Sequence, residues 1–97
     1  MASRIAAQSI TTGNTATLLA AADTRRTLLS IYNDGGADIF VGPSGVTAAE
    51  GFIIGVNSSM TLQKTDHDSS CCEAWYAIAA VAQTPPADTR VLEGFAL

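Results

Sequence analysis

Charge is what this chain has least of. Only 14% of its 97 residues are Asp, Glu, Lys or Arg, against roughly 25% in an ordinary soluble domain. Five basic and nine acidic residues leave a net charge of −4. A phosphate backbone needs a clustered Lys/Arg surface, so nucleic acid is not an expected partner. No run approaches the roughly 20 apolar residues of a membrane helix, and the first residues lack the basic stretch, apolar segment and cleavage site of a signal peptide. Neither membrane insertion nor export by that route is expected. Cysteine is limited to the adjacent Cys71 and Cys72. That spacing strains a mutual disulfide and, without other thiols, makes a poor metal site. Two buried or half-buried thiols in a reducing cytoplasm are the expectation.

What is present is apolar. Hydrophobic residues make up 47% of a chain that has room for one domain only. A domain this small buries about 60–65% of its unfolded surface, which leaves Ala, Ile, Leu and Val without a place inside a monomer. Self-association, or docking on a larger surface, is the implied outlet.

The pattern is that of strands. Leu28–Tyr32 and Ile39–Val41 flank Asn33-Asp34-Gly35-Gly36, residues that tolerate the backbone of a tight reversal, and the spacing predicts a β-hairpin. Upstream, Ile5 and Ala7, then Ala16 and Leu18, read as two short strands around Thr12-Gly13-Asn14. Residues 1–24 are thus an Ala/Thr/Ser-rich arm or a pair of edge strands, and residues 25–97 the domain proper. Gly42-Pro43-Ser44-Gly45 predicts a tight turn. Phe52–Val56 and Met60–Gln63 follow as a third and a fourth strand of the domain, and Lys64–Ser70 as a polar loop. Glu73–Val81, with aromatic and β-branched residues, reads as a central strand. Thr84–Asp88 breaks it with two prolines, and Thr89–Leu97 alternates as a closing strand. The predicted fold is all-β: an antiparallel β-sandwich or barrel of six to eight short strands in a single domain.

The segment Arg25–Gly42, with Ser44-Gly45-Val46-Thr47, Gly51-Phe52-Ile53-Ile54, Tyr76-Ala77-Ile78-Ala79-Ala80 and Arg90-Val91-Leu92-Glu93, resembles small tailed-phage virion proteins. In these an RR-x-LL-x-I-x-N strand precedes a G-x-ADI-[YF]-VG strand. The resemblance spans about residues 25 to 93; Cys71-Cys72 and the polar loop before it lie outside the pattern. It implies a β-sandwich cement, decoration or fibre-base protein on the phage head, commonly trimeric. Its partners would be the major capsid protein and its own copies, and its place the virion surface after assembly in the host cytoplasm. A tail, neck or head-fibre component is the neighbouring reading, and a carbohydrate-binding module the reading from another class.

Reactive chemistry has little to draw on. Asp66-His67-Asp68 is expected to be a solvated loop rather than a metal site; it is nonetheless the one candidate cluster, because a loop, though not a strand, could gather its three side chains round one cation. Cys71 or Cys72 with His67 is the single Cys–His pairing available. The acids Glu73, Asp66 and Asp68 would raise a thiol pKa where a nucleophile needs it lowered. No phosphate loop, dinucleotide turn or serine elbow is present, so neither an enzyme nor a cofactor is expected. Contact candidates are Phe40, out of phase with Ile39 and Val41, and the adjacent Trp75 and Tyr76. In a strand one of those two faces the core and the other an interface. Arg25 and Arg26 read either as a solvated strand start or as contacts to an acidic partner.

Overall fold

Period-two alternation in short apolar segments dictates strands with one face inward, and eight of them occur among the described residues. The computed structural model describes residues 3–79 and 89–96. Its strands are β1 (Ser3–Ile10), β2 (Thr17–Ala20), β3 (Arg26–Asn33), β4 (Ile39–Gly42), β5 (Phe52–Ile54), β6 (Ser59–Gln63), β7 (Trp75–Ala79) and β8 (Thr89–Ala96). A 3-10 turn covers Ser70–Cys72. The proline break at 84–88 and the end of the run at Ala80-Val81 lie outside the described residues.

Every pairing is antiparallel. One sheet, A, has the order β1-β8-β3-β6 and the other, B, the order β2-β7-β4-β5. Two four-stranded sheets in these interleaved orders are a jelly roll, the double Greek-key form of the β-sandwich. Leu29, Ile31 and Val91 from sheet A meet Leu19, Ile39, Val41, Ile54, Ala77 and Ala79 from sheet B in one core, joined by Cys71 and Cys72. The central strand predicted at Glu73–Val81 is β7, which starts at Trp75 and is central in sheet B, and the closing strand β8 is central too, between β1 and β3. β1 and β2 are edge strands, as one reading of residues 1–24 has it, but of different sheets.

The predicted hairpin is corrected. β3 pairs with β6 and β8, and β4 with β5 and β7, so the two runs never pair with each other. Asn33-Asp34-Gly35-Gly36 instead carries the chain across from sheet A to sheet B. Leu29 and Ile31 do share a core with Ile39 and Val41, but from opposite sheets. The cause is Asn33, which is fully buried. Its amide nitrogen donates to the carbonyls of Ala37 (2.8 Å) and Ile54 (3.0 Å), and its side-chain oxygen accepts from the Gly35 N–H (3.0 Å). An inward carboxamide that satisfies three backbone groups of a crossing connection stabilises an arch over a hairpin. The strand predicted at 52–56 also ends early, at Ile54, and Asn57 adopts φ of 62° as the chain turns into β6. The turn at 42–45 stands as expected, with Gly45 at φ of 83° and the Val46 N–H bonded to the Pro43 carbonyl at 3.0 Å.

Two bulges set which residues face inward. β2 shifts register between Leu18 and Ala20, so Leu19 and Ala20 are both buried although adjacent. β3 shifts between Arg26 and Leu28. The extra residue, Thr27, is exposed, and Arg26 is turned inward where simple alternation from Leu29 and Ile31 would point it out.

Asn33→Ala should destabilise the fold by about 2–4 kcal/mol, because three backbone groups lose their partner at once. Urea unfolding monitored by Trp75 fluorescence measures it, and a change within 0.5 kcal/mol, the range of an ordinary surface substitution, would refute the arch assignment.

Candidate interaction surface

No charged residue occurs in the strands of sheet B, whose sequences are TLLA, IFVG, FII and WYAIA. With Ala77, Ala79, Ile39, Val41 and Ile54 inward, alternation sends Leu18, Phe40, Ile53, Tyr76 and Ile78 to the outer face. The register aligns them in two rows. Ile78 lies opposite Phe40 and Phe40 opposite Ile53, while Tyr76 lies opposite Leu18. Leu18 is 45% and Ile53 52% exposed, and Phe52 on the rim 63%. Phe40, Tyr76 and Ile78 are half-buried. The result is an uncharged apolar face, overlain at its Phe40–Gly42 end by Val46 and Gly51, of the kind that marks an interaction site.

The outer face of sheet A is different. It carries Ser30 hydrogen-bonded to Thr61 (3.0 Å), Tyr32 donating to Asn57 (3.3 Å), and Arg90 paired with Asp34 (3.2 Å). Apolar residues lie there too, Ile5 at 73% and Leu92 at 39% exposure, so this outer face is mixed where that of sheet B is uncharged.

Of the residues anticipated for contact, Phe40 and Tyr76 lie on this face. Trp75 faces inward, packs against the core and donates its indole N–H to the Ser70 carbonyl (2.9 Å), so it offers no free ring for stacking. Leu18, Ile53 and Ile78 complete the face and were not anticipated. Their membership follows from cross-strand register, which a single segment does not reveal.

Arg25 is exposed beside Asp23, with 3.6 Å between Nε and Oδ1. The Arg25 backbone N–H, bonded to Asp23 Oδ1, is the main cause holding that carboxyl below its ordinary range. Arg26 overturns both expectations for it: its side chain is 1% exposed, and its acidic partner belongs to the same chain. Its Nε bonds Glu93 Oε2 at 3.2 Å, Nη1 the carbonyls of Cys71 (2.7 Å) and Glu73 (3.1 Å), and Nη2 the carbonyl of Ala21. The Arg26 carbonyl accepts in turn from Cys72 Sγ (3.0 Å) and Cys71 Sγ (3.7 Å). A cleft of about 360 Å³ between β1 and β2 reaches this pair, with Gln8, Ile10 and Leu19 among its walls.

Asp66, His67 and Asp68 are exposed in the 64–69 loop. Asp68 Oδ1 accepts the Ser70 N–H (2.9 Å), which lowers its pKa, and the His67 N–H donates to Thr65 Oγ1 (3.3 Å). Among the described residues no three His, Cys, Asp or Glu side chains are placed to share a metal ion. The thiols are free and buried, whereas His67 is exposed, so the Cys–His pairing is not assembled. The Cys71 pKa is raised, as expected, but by burial first and the neighbouring Cys72 thiol second; the three nearby acids are not the cause.

No family model and no curated protein sequence matches the chain. A solved structure described as "Bacillus endospore appendages form a novel family of disulfide-linked pili" is similar to it with a TM-score of 0.55, at 17% identity, over 99% of this chain and 88% of that one. At that identity the likeness is one of fold.

Two outcomes follow from the buried pair and the thiols. Arg26→Ala should destabilise by about 3–5 kcal/mol by stranding Glu93, and Arg26→Met with Glu93→Leu should recover only part of the loss, because the carbonyls of Ala21, Cys71 and Glu73 still lose their donor; denaturant unfolding of the three proteins checks this. Because the Cys71 thiol is held above its ordinary 9.0, the folded state keeps a proton that the unfolded chain releases. Stability should therefore be unaffected by this group below pH 9 and decline as the pH rises above it. Cys71→Ala should flatten that decline in a series of melting curves.

Proposed function

We propose that the chain is a virion structural protein of the cement type, which self-associates and binds the outer surface of a phage capsid through the outer face of sheet B. The observation that carries the reading is that face: Leu18, Phe40, Ile53, Tyr76 and Ile78 in one uncharged patch on a chain with only 14% charged residues. The resemblance of residues 25–93 to phage virion proteins supplies the capsid as partner. Jelly rolls serve viral capsid and lectin domains alike, so the fold is compatible with this role without selecting it. The mechanism is adhesion. Apolar burial contributes about 25 cal/mol per Å², and several copies on one shell gain avidity because each further contact is intramolecular. No catalytic step enters.

Filament formation is a second reading, favoured by the likeness over nearly the whole chain to a pilus structure. That structure's pili are disulfide-linked, whereas Cys71 and Cys72 are buried and free. A filament of this chain would hold together without cross-links between those thiols. A tail or head-fibre part would use the same face at low copy number. A carbohydrate-binding module would have to rely on Tyr76, since Trp75 is committed inward.

Ile53→Asp tests the reading. The residue is half in solvent, so melting should change little, while binding to purified expanded heads should fall about 10- to 100-fold, the worth of one buried Ile side chain. Unchanged head binding, or wild-type protein that assembles filaments and leaves heads bare, would refute it.

A further inference from the structure

Four strands form the edges of the two sheets, and three of them are short: β2 has four residues and a bulge, β5 three, and β6 five. Short, bulged edges are how proteins keep sheets from pairing with other chains. β1 is built otherwise. It runs eight residues, Ser3–Ile10, in unbroken register along β8, with no proline, no bulge and a single charge, Arg4, near one end. Among the described residues no strand pairs with its other edge. Its side chains are mostly exposed, Ile5 to 73%. This strand presents a straight row of backbone donors and acceptors, and beside it lie the exposed Ile5 and, opposite Ala7 on β8, Leu92 at 39% exposure.

We infer that β1 pairs antiparallel with β1 of a second copy, about a two-fold axis through Ala6, so that sheet A continues across two subunits. The inference rests on the reading of the chain as an assembling subunit for its use, and on the edge geometry for its substance. A two-fold normal to the sheet keeps outer faces together, so paired residue numbers must sum to an even value. With Ala6 on the axis, Ile5 meets Ala7, Ser3 meets Ser9, and Arg4 meets Gln8. The apolar residue thus covers an apolar one on the outer face. On the inner face the guanidinium of Arg4, stacked at 4.2 Å on Phe95, meets a carboxamide whose oxygen can accept. The two Arg4 side chains fall at opposite ends, so no like charges oppose each other. A partner of strong charge would find nothing on this edge to select it, whereas the strand complements itself. The seam is a dimer contact where the resemblance implies a trimer. Its seven-residue ladder is smaller than a stable interface of roughly 1,200–2,000 Å², so association is concentration dependent.

Light scattering over a micromolar concentration series tests it. Wild-type mass should rise from that of one chain, 10.0 kDa, towards twice that value and no further. Ile5→Lys with Ala7→Lys sets lysine opposite lysine twice, and should raise the dissociation constant about tenfold or more. Ile5→Lys with Ala7→Glu sets opposite charges in the same places and should restore the dimer. Both sites are exposed, and circular dichroism confirms that the variants fold. Thr61→Lys on the β6 edge should leave the mass unchanged. A wild-type monomer throughout, a trimer, no difference between the two double variants, or dissociation by Thr61→Lys alone would overturn the seam. Head binding is measured separately, so failure of the capsid reading and failure of the seam are told apart.

Discussion

The guanidinium of Arg26, only 1% exposed, bridges the two sheets through its hydrogen bonds. It ties the end of β2, through Ala21, to the segment before β7, through Cys71 and Glu73, and to β8 through Glu93. Two of these belong to the sheet B side and one to sheet A. A buried cation is tolerable only when its donors are matched, so these four contacts have to form together. That requirement fixes the path of the 21–25 turn and the position of the 3-10 turn. It also fixes the thiols: with Cys71 and Cys72 packed beneath the Arg26 carbonyl, neither is presented to solvent. The bulge at Thr27 is the local device that makes this possible, since it alone turns Arg26 inward.

A second polar anchor works where the chain crosses between sheets. Asn33 holds the crossing from β3 to β4, and the buried hydroxyls of Thr12 and Thr89, 2.7 Å apart, join the segment after β1 to the start of β8. The core between these anchors is made mostly of medium and small side chains, Leu, Ile, Val and Ala; Phe95 is buried beside Arg4 and Arg26, and the other aromatics are half-buried or exposed. A thin core of that kind leaves apolar residues over, and the fold puts them in two places, the outer face of sheet B and the β1 edge. The surplus inferred from composition thus has a definite geometry.

Strand positions were legible because period-two alternation is local: β3, β4, β6, β7 and β8 lie where the pattern puts them. Which strands pair was not. Asn-Asp-Gly-Gly suits any sharp change of direction, and whether it makes a hairpin or an arch depends on Ile54 and Ala37 being at hand to receive the Asn33 amide, a tertiary fact. The inward Arg26 was hidden for a related reason. A bulge inverts the phase of a strand, and nothing in RRTLLSI marks Thr27 as the extra residue. Phe40 was legible as an outward residue because it stands between Ile39 and Val41; of Trp75 and Tyr76 alternation says only that they face opposite ways, and it is the packing of Trp75 on the core that leaves Tyr76 outward. Leu18, Ile53 and Ile78 were not legible, since they become a surface only when β2, β7, β4 and β5 are laid side by side.

That distinction bears on how the molecule can assemble. A face and an edge impose different geometry on their partners. The face of sheet B is flat in charge and non-directional, so it suits a surface whose curvature or composition varies from site to site. The edge of β1 is directional and register-bound, and it can be satisfied by one strand only. A subunit with both can fix its own pairing through the edge while keeping the face for a larger, less specific substrate. In the pairing about Ala6 the edge is used up by a single partner copy, because an isologous contact closes on itself. Extended growth would therefore have to run through the apolar face or another edge.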